Sequence, residues 1–416
     1  MADGNLQEGI YYGSTDTPPG FFSLVLLSAA PGAAAKDVAD LLESLWACYQ
    51  ELKEGRIGDL KGVRRMPAAK LQVLLGLGAP AFDLQRPKNA PARPLAMLQS
   101  FEQPVPGSGG PISENSGISY ERDVSANPAD AAIALQFTAE TALAVEQAVV
   151  ETWKVLEDAA PAALAIQAVY TGSKRGDRRS WIDFYDGPSN LAQDERLPVI
   201  AIPPNAHPDG SWEQDAWTEG GTYLAFIRLY IDLRPWRALP VAKQEELVGR
   251  TKLRGLPLKS LPPPVRSSTF RDPGDKGHPP HEADAARLPA ETHLDPALSM
   301  SHIQRANHHN PYPGGVAEPM NHRIFRQGYP FLEPLDAPPG FRVGLNFISF
   351  QSTPASLTGM LKQAGWLGNT NFGGDTDPAT AVVLLSARAA GFFLVPPVDG
   401  TERFPGEHVL TGPPKA

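Results

Sequence analysis

Apolar and polar positions along this chain alternate between two periods. Phe21 to Leu27 is a short continuous apolar run of the kind that forms a buried strand. From Ala34 to Leu52, the residues Val38, Leu41, Leu42, Leu45, Tyr49 and Leu52 recur every three or four positions, with Lys36, Asp37, Asp40, Glu43 and Glu51 on other faces. That spacing predicts an amphipathic helix. The pair then repeats. Ala132 to Phe137 reads as a strand, Ala142, Val145, Val149, Trp153 and Leu156 form a helical stripe, and Leu164 to Tyr170 returns as a further strand. A β-α-β order occurring twice within about 170 residues predicts a ferredoxin-like sandwich, an antiparallel sheet with helices packed on one face. The segment from Phe82 to Asn127, rich in Pro, Gly and Ser, is its predicted excursion loop.

A second unit begins near Gly220. Thr222 to Ile231 is strand-like by its β-branched and aromatic content, and Pro240 to Lys252 is short and helical. The next stretch, Leu256 to Pro330, has almost no periodicity and holds seven of the nine histidines: His278, His281, His293, His302, His308, His309 and His322. Such a stretch is either disordered or folded around something, and the second alternative is favoured here. Gly344 to Phe350 is then a strand, Ser356 to Gly365 a helix and Phe392 to Val395 a last strand. The same grammar twice over predicts two similar α+β domains in tandem, residues 1–200 and 201–416.

Composition narrows the function. Lys and Arg number 37 against 46 Asp and Glu, a net charge of −9, so a surface built to hold nucleic acid or anionic lipid is not expected. Proline (43) and glycine (38) are well above their usual share of 416 residues, so much of the chain runs as ordered, irregular loop. The single cysteine, Cys48, excludes an intramolecular disulfide, a four-cysteine zinc site, a thiolate-held iron–sulfur cluster and covalent c-type haem. A reducing compartment suits this, and the acidic N-terminus with no apolar stretch before Phe21 gives no export signal, so a cytoplasmic location is expected. The most apolar stretch, Ala379 to Val395, is interrupted by Arg388 and is too short to span a bilayer, so no membrane partner is expected either.

Two constellations could carry chemistry. His278, His281 and His293 could form a zinc site with Asp295 or Asp284, although the spacing matches no metal motif closely and loop histidines are usually solvated. His308 and His309 are adjacent, so their side chains diverge. The second is Asp183-Phe184-Tyr185-Asp186-Gly187-Pro188-Ser189-Asn190, by composition an ordinary turn. An acid set between bulky rings and such a turn is also suited to moving protons.

Six blocks in order carry a resemblance. They are Asp186-Gly187; Gly221-Thr222-Tyr223-Leu224; Gln244-Glu245 through Gly249-Arg250-Thr251-Lys252; Ser301-His302-Ile303-Gln304-Arg305-Ala306-Asn307; Arg323 through Pro330; and Gly344 through Gln351. Spread over most of residues 130 to 396, they resemble the dye-decolorizing peroxidases. The resemblance implies two ferredoxin-like domains of the dimeric α+β barrel type, with one haem b per chain in the second and the first ending in the distal acid loop. It implies His302 as the proximal iron ligand and Asp186 as the distal acid that moves a proton between the oxygens of hydrogen peroxide. Arg326 is implied as the distal arginine, Arg305 as a propionate partner, and Leu345 and Phe347 as walls of the distal pocket. The implied activity is peroxide reduction through a ferryl intermediate, with one-electron oxidation of dyes or phenols and small aromatic reductants as partners. Oligomeric state is left open. An acidic activity optimum is expected.

The departures from the family pattern are Asp183 in place of the first Gly of the distal block, Gln304 in place of an Arg, His308-His309 in place of Pro-Arg, and Asn346 in place of a Leu. They motivate an alternative, a haem-binding or storage protein with the same fold and weak turnover. A zinc-dependent hydrolase built on His278, His281 and His293 is a third reading. Asp375 or Asp377 is implied as the acid supporting His302, though Asp377 before Pro378 is also a natural helix cap. With the pocket walled, bulky dyes require radical sites at the surface, for which Trp366 and Tyr329 are candidates.

Overall fold

The computed structural model describes residues 5–12, 18–58, 67–97, 130–159, 162–187, 190–191, 193–204, 216–258, 301–305, 323–361 and 384–413. Strand β1 (Phe21–Ala29) explains the plan of the molecule, because both its faces are buried. Phe22, Leu24 and Leu26 point into one hydrophobic cluster and Val25 and Leu27 into another. Each such leucine taken wholly out of water is worth about 1.5–3 kcal/mol. Helix α1 (Ala35–Lys53) covers the second face with Val38, Leu42, Leu45 and Tyr49. Strands β2 (Gln72–Leu77) and β3 (Ile133–Ala139) follow, then helix α2 (Ala142–Asp158) and strand β4 (Leu164–Ser173). Thr141 starts α2 by accepting a hydrogen bond from the Ala144 amide at 3.4 Å. The buried stripe of α2 is Ala144, Val145, Ala148, Thr152 and Leu156, whereas Trp153, placed in the stripe by spacing alone, is 52% exposed.

The second half repeats the plan. Strand β5 (Thr222–Ile231) is followed by helices α3 (Leu233–Ala238) and α4 (Val241–Val248) and the one-turn helix α5 (His302–Arg305). Strands β6 (Phe325–Arg326), β7 (Tyr329–Pro334) and β8 (Phe341–Gln351), helix α6 (Pro354–Leu361), strand β9 (Leu385–Val395) and helix α7 (Glu407–Thr411) complete it. The sheet order is β4-β1-β3-β2-β9-β5-β8-β6, with β7 also on β8. The strands β1 to β9 pair antiparallel; the first half has the fourth-first-third-second order of a ferredoxin-like unit, and the second half repeats it when β6 and β7, which both pair with β8, are counted as one interrupted strand. The halves join edge to edge where Leu77 of β2 faces Leu394 of β9. They also share an inner layer, in which Phe22, Leu24 and Leu74 from the first half pack with Phe226, Ile348 and Phe350 from the second. The fold is therefore the expected α+β, two ferredoxin-like units in tandem. No helix among the described residues is long and apolar enough to cross a membrane.

Several expectations need correction. The first unit has a strand, β2, between α1 and the excursion, which the sequence reading passed over. The stretch from Leu256 to Pro330, for which no element was assigned, carries β6 and the start of β7 at its end. The last strand begins at Leu385 rather than Phe392.

The inner layer holds a buried arginine. Arg228 of β5 is 3% exposed and lies 3.7 Å from the ring centre of Phe331 and 5.0 Å from that of Tyr170. Its Nη1 donates to Asn346 Oδ1 at 2.8 Å, its Nη2 pairs with Glu333, and Glu333 also pairs with Arg342. Asn346 Nδ2 in turn donates to the Thr171 carbonyl of β4 at 2.8 Å. The residue that departs from the family's leucine is thus the polar link between β8 and β4. Restoring that leucine in Asn346→Leu leaves Arg228 Nη1 and the Thr171 carbonyl without this partner and should cost about 1–3 kcal/mol in urea unfolding. The double variant Arg228→Leu/Asn346→Leu should recover part of the loss; simple additivity of the two single effects would show that the pair is not coupled.

Candidate functional site

Beyond β4 the chain makes a loop that is tied down at several points. The Asp186 amide donates to the Arg178 carbonyl at 2.9 Å, and Arg179 and Tyr185 form an isolated antiparallel bridge. Asp183 turns the corner with φ +66°, a left-handed conformation that Asp tolerates. The Arg179 guanidinium lies 3.8 Å from the Tyr185 ring centre and donates to the carbonyls of Lys252 (2.7 Å) and Leu253 (2.9 Å), which fastens the loop to the segment after α4. Phe184 is buried edge-on against Trp236 of α3 at 6.0 Å. Asp183 itself is exposed, 3.7 Å from Arg175 and 3.6 Å from Lys252. This departure from the family pattern is a surface ion pair, of small energetic weight.

Asp186 meets the second half of the chain at Gly328. A Cβ on Gly328 would lie 3.0 Å from Asp186 Oδ2 and 3.1 Å from Leu345 Cδ1, so only glycine leaves both side chains in place. Leu345 and Phe347, two apart on β8, both pack on the outer cluster of the second half and are partly buried. Arg326 is on β6, opposite Ser349 of β8. Its other backbone edge is taken by a side chain: Asn190 Nδ2 donates to the Arg326 carbonyl at 2.8 Å, and the Arg326 amide donates to Asn190 Oδ1 at 3.1 Å. The Asn190 amide closes the turn onto the Gly187 carbonyl at 3.0 Å.

His302 opens α5. Gly249, at φ +86°, ends α4, and a Cβ there would lie 2.5 Å from Ser301 Oγ and 2.6 Å from Ile303 Cγ1. Both neighbours of His302 are thus seated on the end of α4, and this is the close contact that positions the histidine. Burial, and then the positive charges of Arg326 and Arg250, push the His302 imidazole down to about 4. It is neutral at neutral pH, with a nitrogen lone pair to give. Arg250 is 3% exposed, donates to the Gly255 carbonyl at 2.7 Å, and is pushed down to about 10 by burial and then by Arg326. Lys174, just past β4, lies 4.8 Å from the Tyr329 ring centre and donates to the Pro18 carbonyl at 3.3 Å. Burial lowers it to about 8, with the nearby Asp186 charge opposing the shift.

The structure therefore brings Asp186 and Leu345 together over Gly328, ties the backbone of Arg326 to the Asp186 turn, and sets His302 within the field of Arg326. Gln304 and Arg305 close the helix that His302 opens. Tyr329 is not a surface residue: it is fully buried, stacked on Phe22 at 4.6 Å, and so cannot serve as an exposed radical site. Trp366, Asp375, Asp377, His278, His281, His293, Asp284, Asp295, His308 and His309 lie outside the described residues. Among the described residues, no group of three or more His, Cys, Asp or Glu is arranged to hold a metal ion. The sequence reading missed Asn190, Arg250 and Lys174. Asn190 ends the turn that runs from Asp183, and Arg250 sits inside a block that carried the resemblance, but their contacts are made across 136 residues and within a local turn, neither of which spacing reveals.

Residues 177–400 match the family described as Dyp-type peroxidase, C-terminal. A dye-decolorizing peroxidase of Rhodococcus erythropolis is 25% identical over 218 residues, 51% of this chain and 54% of that protein, so the match spans about half of the relative's length. The crystal structure of a DyP-type peroxidase from Cellulomonas bogoriensis superposes with a TM-score of 0.63 at 20% identity, covering 97% of this chain and 96% of that one. A DypB variant from Rhodococcus jostii, solved in complex with heme, gives 0.54 at 17% identity over 92% of this chain and 95% of that one. At these identities the structural likeness concerns the fold.

The depressed His302 value has a consequence for the protein prepared without haem. The unfolded chain takes up the imidazole proton near 6.5 and the folded chain only near 4, so the unfolded state binds more protons between them. Folding stability should fall as the pH drops through that window, by up to about 3 kcal/mol, and level off below it. Urea midpoints from pH 7 to 4 should show this limb in the wild type and a flatter one in His302→Ala; equal slopes would mean that His302 titrates normally.

Proposed function

The chain belongs to the Dyp-type peroxidase family, and on that premise we propose that it is a haem peroxidase, reducing hydrogen peroxide and oxidising dyes or phenolic compounds one electron at a time. We take its two domains as residues 1–200 and 201–416, with one haem b in the second. The observation that carries the reading is the convergence of Asp186, Leu345 and Arg326 at Gly328 and Asn190, beside a histidine held neutral. A haem asks a protein for an uncharged nitrogen donor, an apolar wall and cations near its carboxylates. His302, the Leu345 and Phe347 face, and Arg326 with Arg250 are a donor set of that chemistry.

In this reading His302 would hold the iron, Arg305 and Arg250 would supply positive charge for the haem carboxylates, and Leu345 and Phe347 would keep bulky molecules away from the peroxide. When bound, the haem supplies the electrons for cleavage of the O–O bond and receives them back from the reductant. Asp186 Oδ2 takes the proton from the nearer oxygen of hydrogen peroxide and returns it to the farther one, so that water leaves. The Arg326 guanidinium holds the peroxide and balances the negative charge that develops on the departing oxygen. A storage protein would need the histidine but neither of these two groups, so the peroxidase reading is preferred.

The visible spectrum tests it directly. The haem-loaded wild type should show a Soret band that shifts with one equivalent of hydrogen peroxide, and His302→Ala should lose or strongly alter that band. A band indifferent to peroxide would favour the storage reading, and failure to take up haem would end both. Asp186→Asn should lower kcat/KM for peroxide by about 10²–10⁴-fold with haem binding retained; a loss below tenfold would remove Asp186 from the proton path.

A further inference from the structure

Resting on the reading of Asp186 and Arg326 as the working pair, we propose that Asn190 is the positioning residue that sets one against the other. The two groups come from different halves of the chain, and each is held by backbone contacts of its own half. Asp186 follows the bridge between Arg179 and Tyr185, and Arg326 is the last paired residue of the two-residue strand β6. Among the described residues, β6 ends the sheet order and no strand lies along its outer edge. Asn190 fills that edge. Its carboxamide presents a donor and an acceptor in one plane, as a peptide group would, and meets the Arg326 amide and carbonyl at 3.1 and 2.8 Å. The same oxygen also accepts from the Leu191 amide at 3.1 Å, while the Asn190 backbone amide closes the turn on Gly187, the residue after Asp186.

The chemistry of that contact is specific to a carboxamide. An Asp of equal size accepts from the Arg326 amide but has nothing to donate to the Arg326 carbonyl, and Ala offers neither. Because the contact is made to the Arg326 backbone, its loss moves the whole residue, and a displacement near 1 Å between a proton acceptor and its partner cation is enough to cost a large factor. Asn190 touches no reacting atom in this account. It acts through Arg326.

Two measurements distinguish positioning from mere support. In the protein without haem, hydrogen exchange across residues 323–328 should accelerate by about tenfold or more in Asn190→Ala, since the Arg326 amide loses its acceptor. In the haem-loaded protein, cyanide titrated against the Soret band should bind about tenfold more weakly in Asn190→Ala, less so in Asn190→Asp, and adding Asn190→Ala to Arg326→Leu should change the affinity no further. Wild-type cyanide affinity in Asn190→Ala, with Arg326→Leu weakened, would overturn the proposal and leave Asn190 a stabilising residue only. Cyanide affinity unaltered in Arg326→Leu itself would overturn the underlying reading of the site, and this proposal with it. Should Asn190→Ala not fold, wild-type cyanide affinity in Asn190→Asp would be equally fatal.

Discussion

Everything at the candidate site depends on the apolar layer that the two halves bury in common. Phe22, Leu24 and Leu74 on one side and Phe226, Ile348 and Phe350 on the other pack together out of water, so the two halves of the sheet face each other across them. That packing brings β4 alongside β7 and β8. The loop that follows β4 is consequently delivered to the turn between β6 and β7, where Asp186 finds Gly328. A site divided between two sequence-distant units is rigid only if the layer between them is, and here the layer is fixed by fully buried aromatic and aliphatic side chains and by the Arg228, Asn346 and Thr171 link.

The electrostatics of the site follow from the same geometry. Arg326 and Arg250 are close enough for each to oppose the protonation of His302, and Arg326 lowers Arg250 as well. Burial first, and then these two cations, keep the imidazole neutral at neutral pH, which is the state in which it can donate a lone pair. The net charge of −9 hides this entirely. Around the loop bearing Asp186, the charges are dominated by Lys174, Arg175, Arg178, Arg179 and Lys252, with Asp177 paired to Arg175 and Asp183 to Arg175 and Lys252. Local sign, not the sum over the chain, governs what approaches there.

The longer elements were legible from sequence because a simple local signal marked each of them. β1, α1, β3, α2, β4, β5 and β8 overlap the segments marked by continuous apolar runs, β-branched and aromatic content, or helical spacing. β2 escaped notice because Gln72–Leu77 is brief and follows a polar, Pro-containing stretch, and β6 and β7 because they are short and interrupted by prolines and glycines. At the site, residue types showed through and contacts did not. Asp186, Arg326, His302, Leu345 and Phe347 could be named from ordered blocks, whereas the roles of Gly328, Asn190 and Arg250 exist only in three dimensions. Tyr329, a candidate surface site by its place in the sequence, is instead a packed aromatic stacked on Phe22.

The departures from the family pattern are better understood as paired adjustments than as losses. Asn346 in place of an apolar residue would leave a buried carboxamide unsatisfied, a cost of about 1–3 kcal/mol, were it not matched by Arg228 on β5 and the Thr171 carbonyl on β4. Arg228 in turn would be an uncompensated buried charge without Asn346 and Glu333. Asp183, which replaces a glycine, keeps the left-handed backbone that glycine would adopt and supplies a partner for Arg175 and Lys252. In both cases the substituted residue is satisfied by partners of its own.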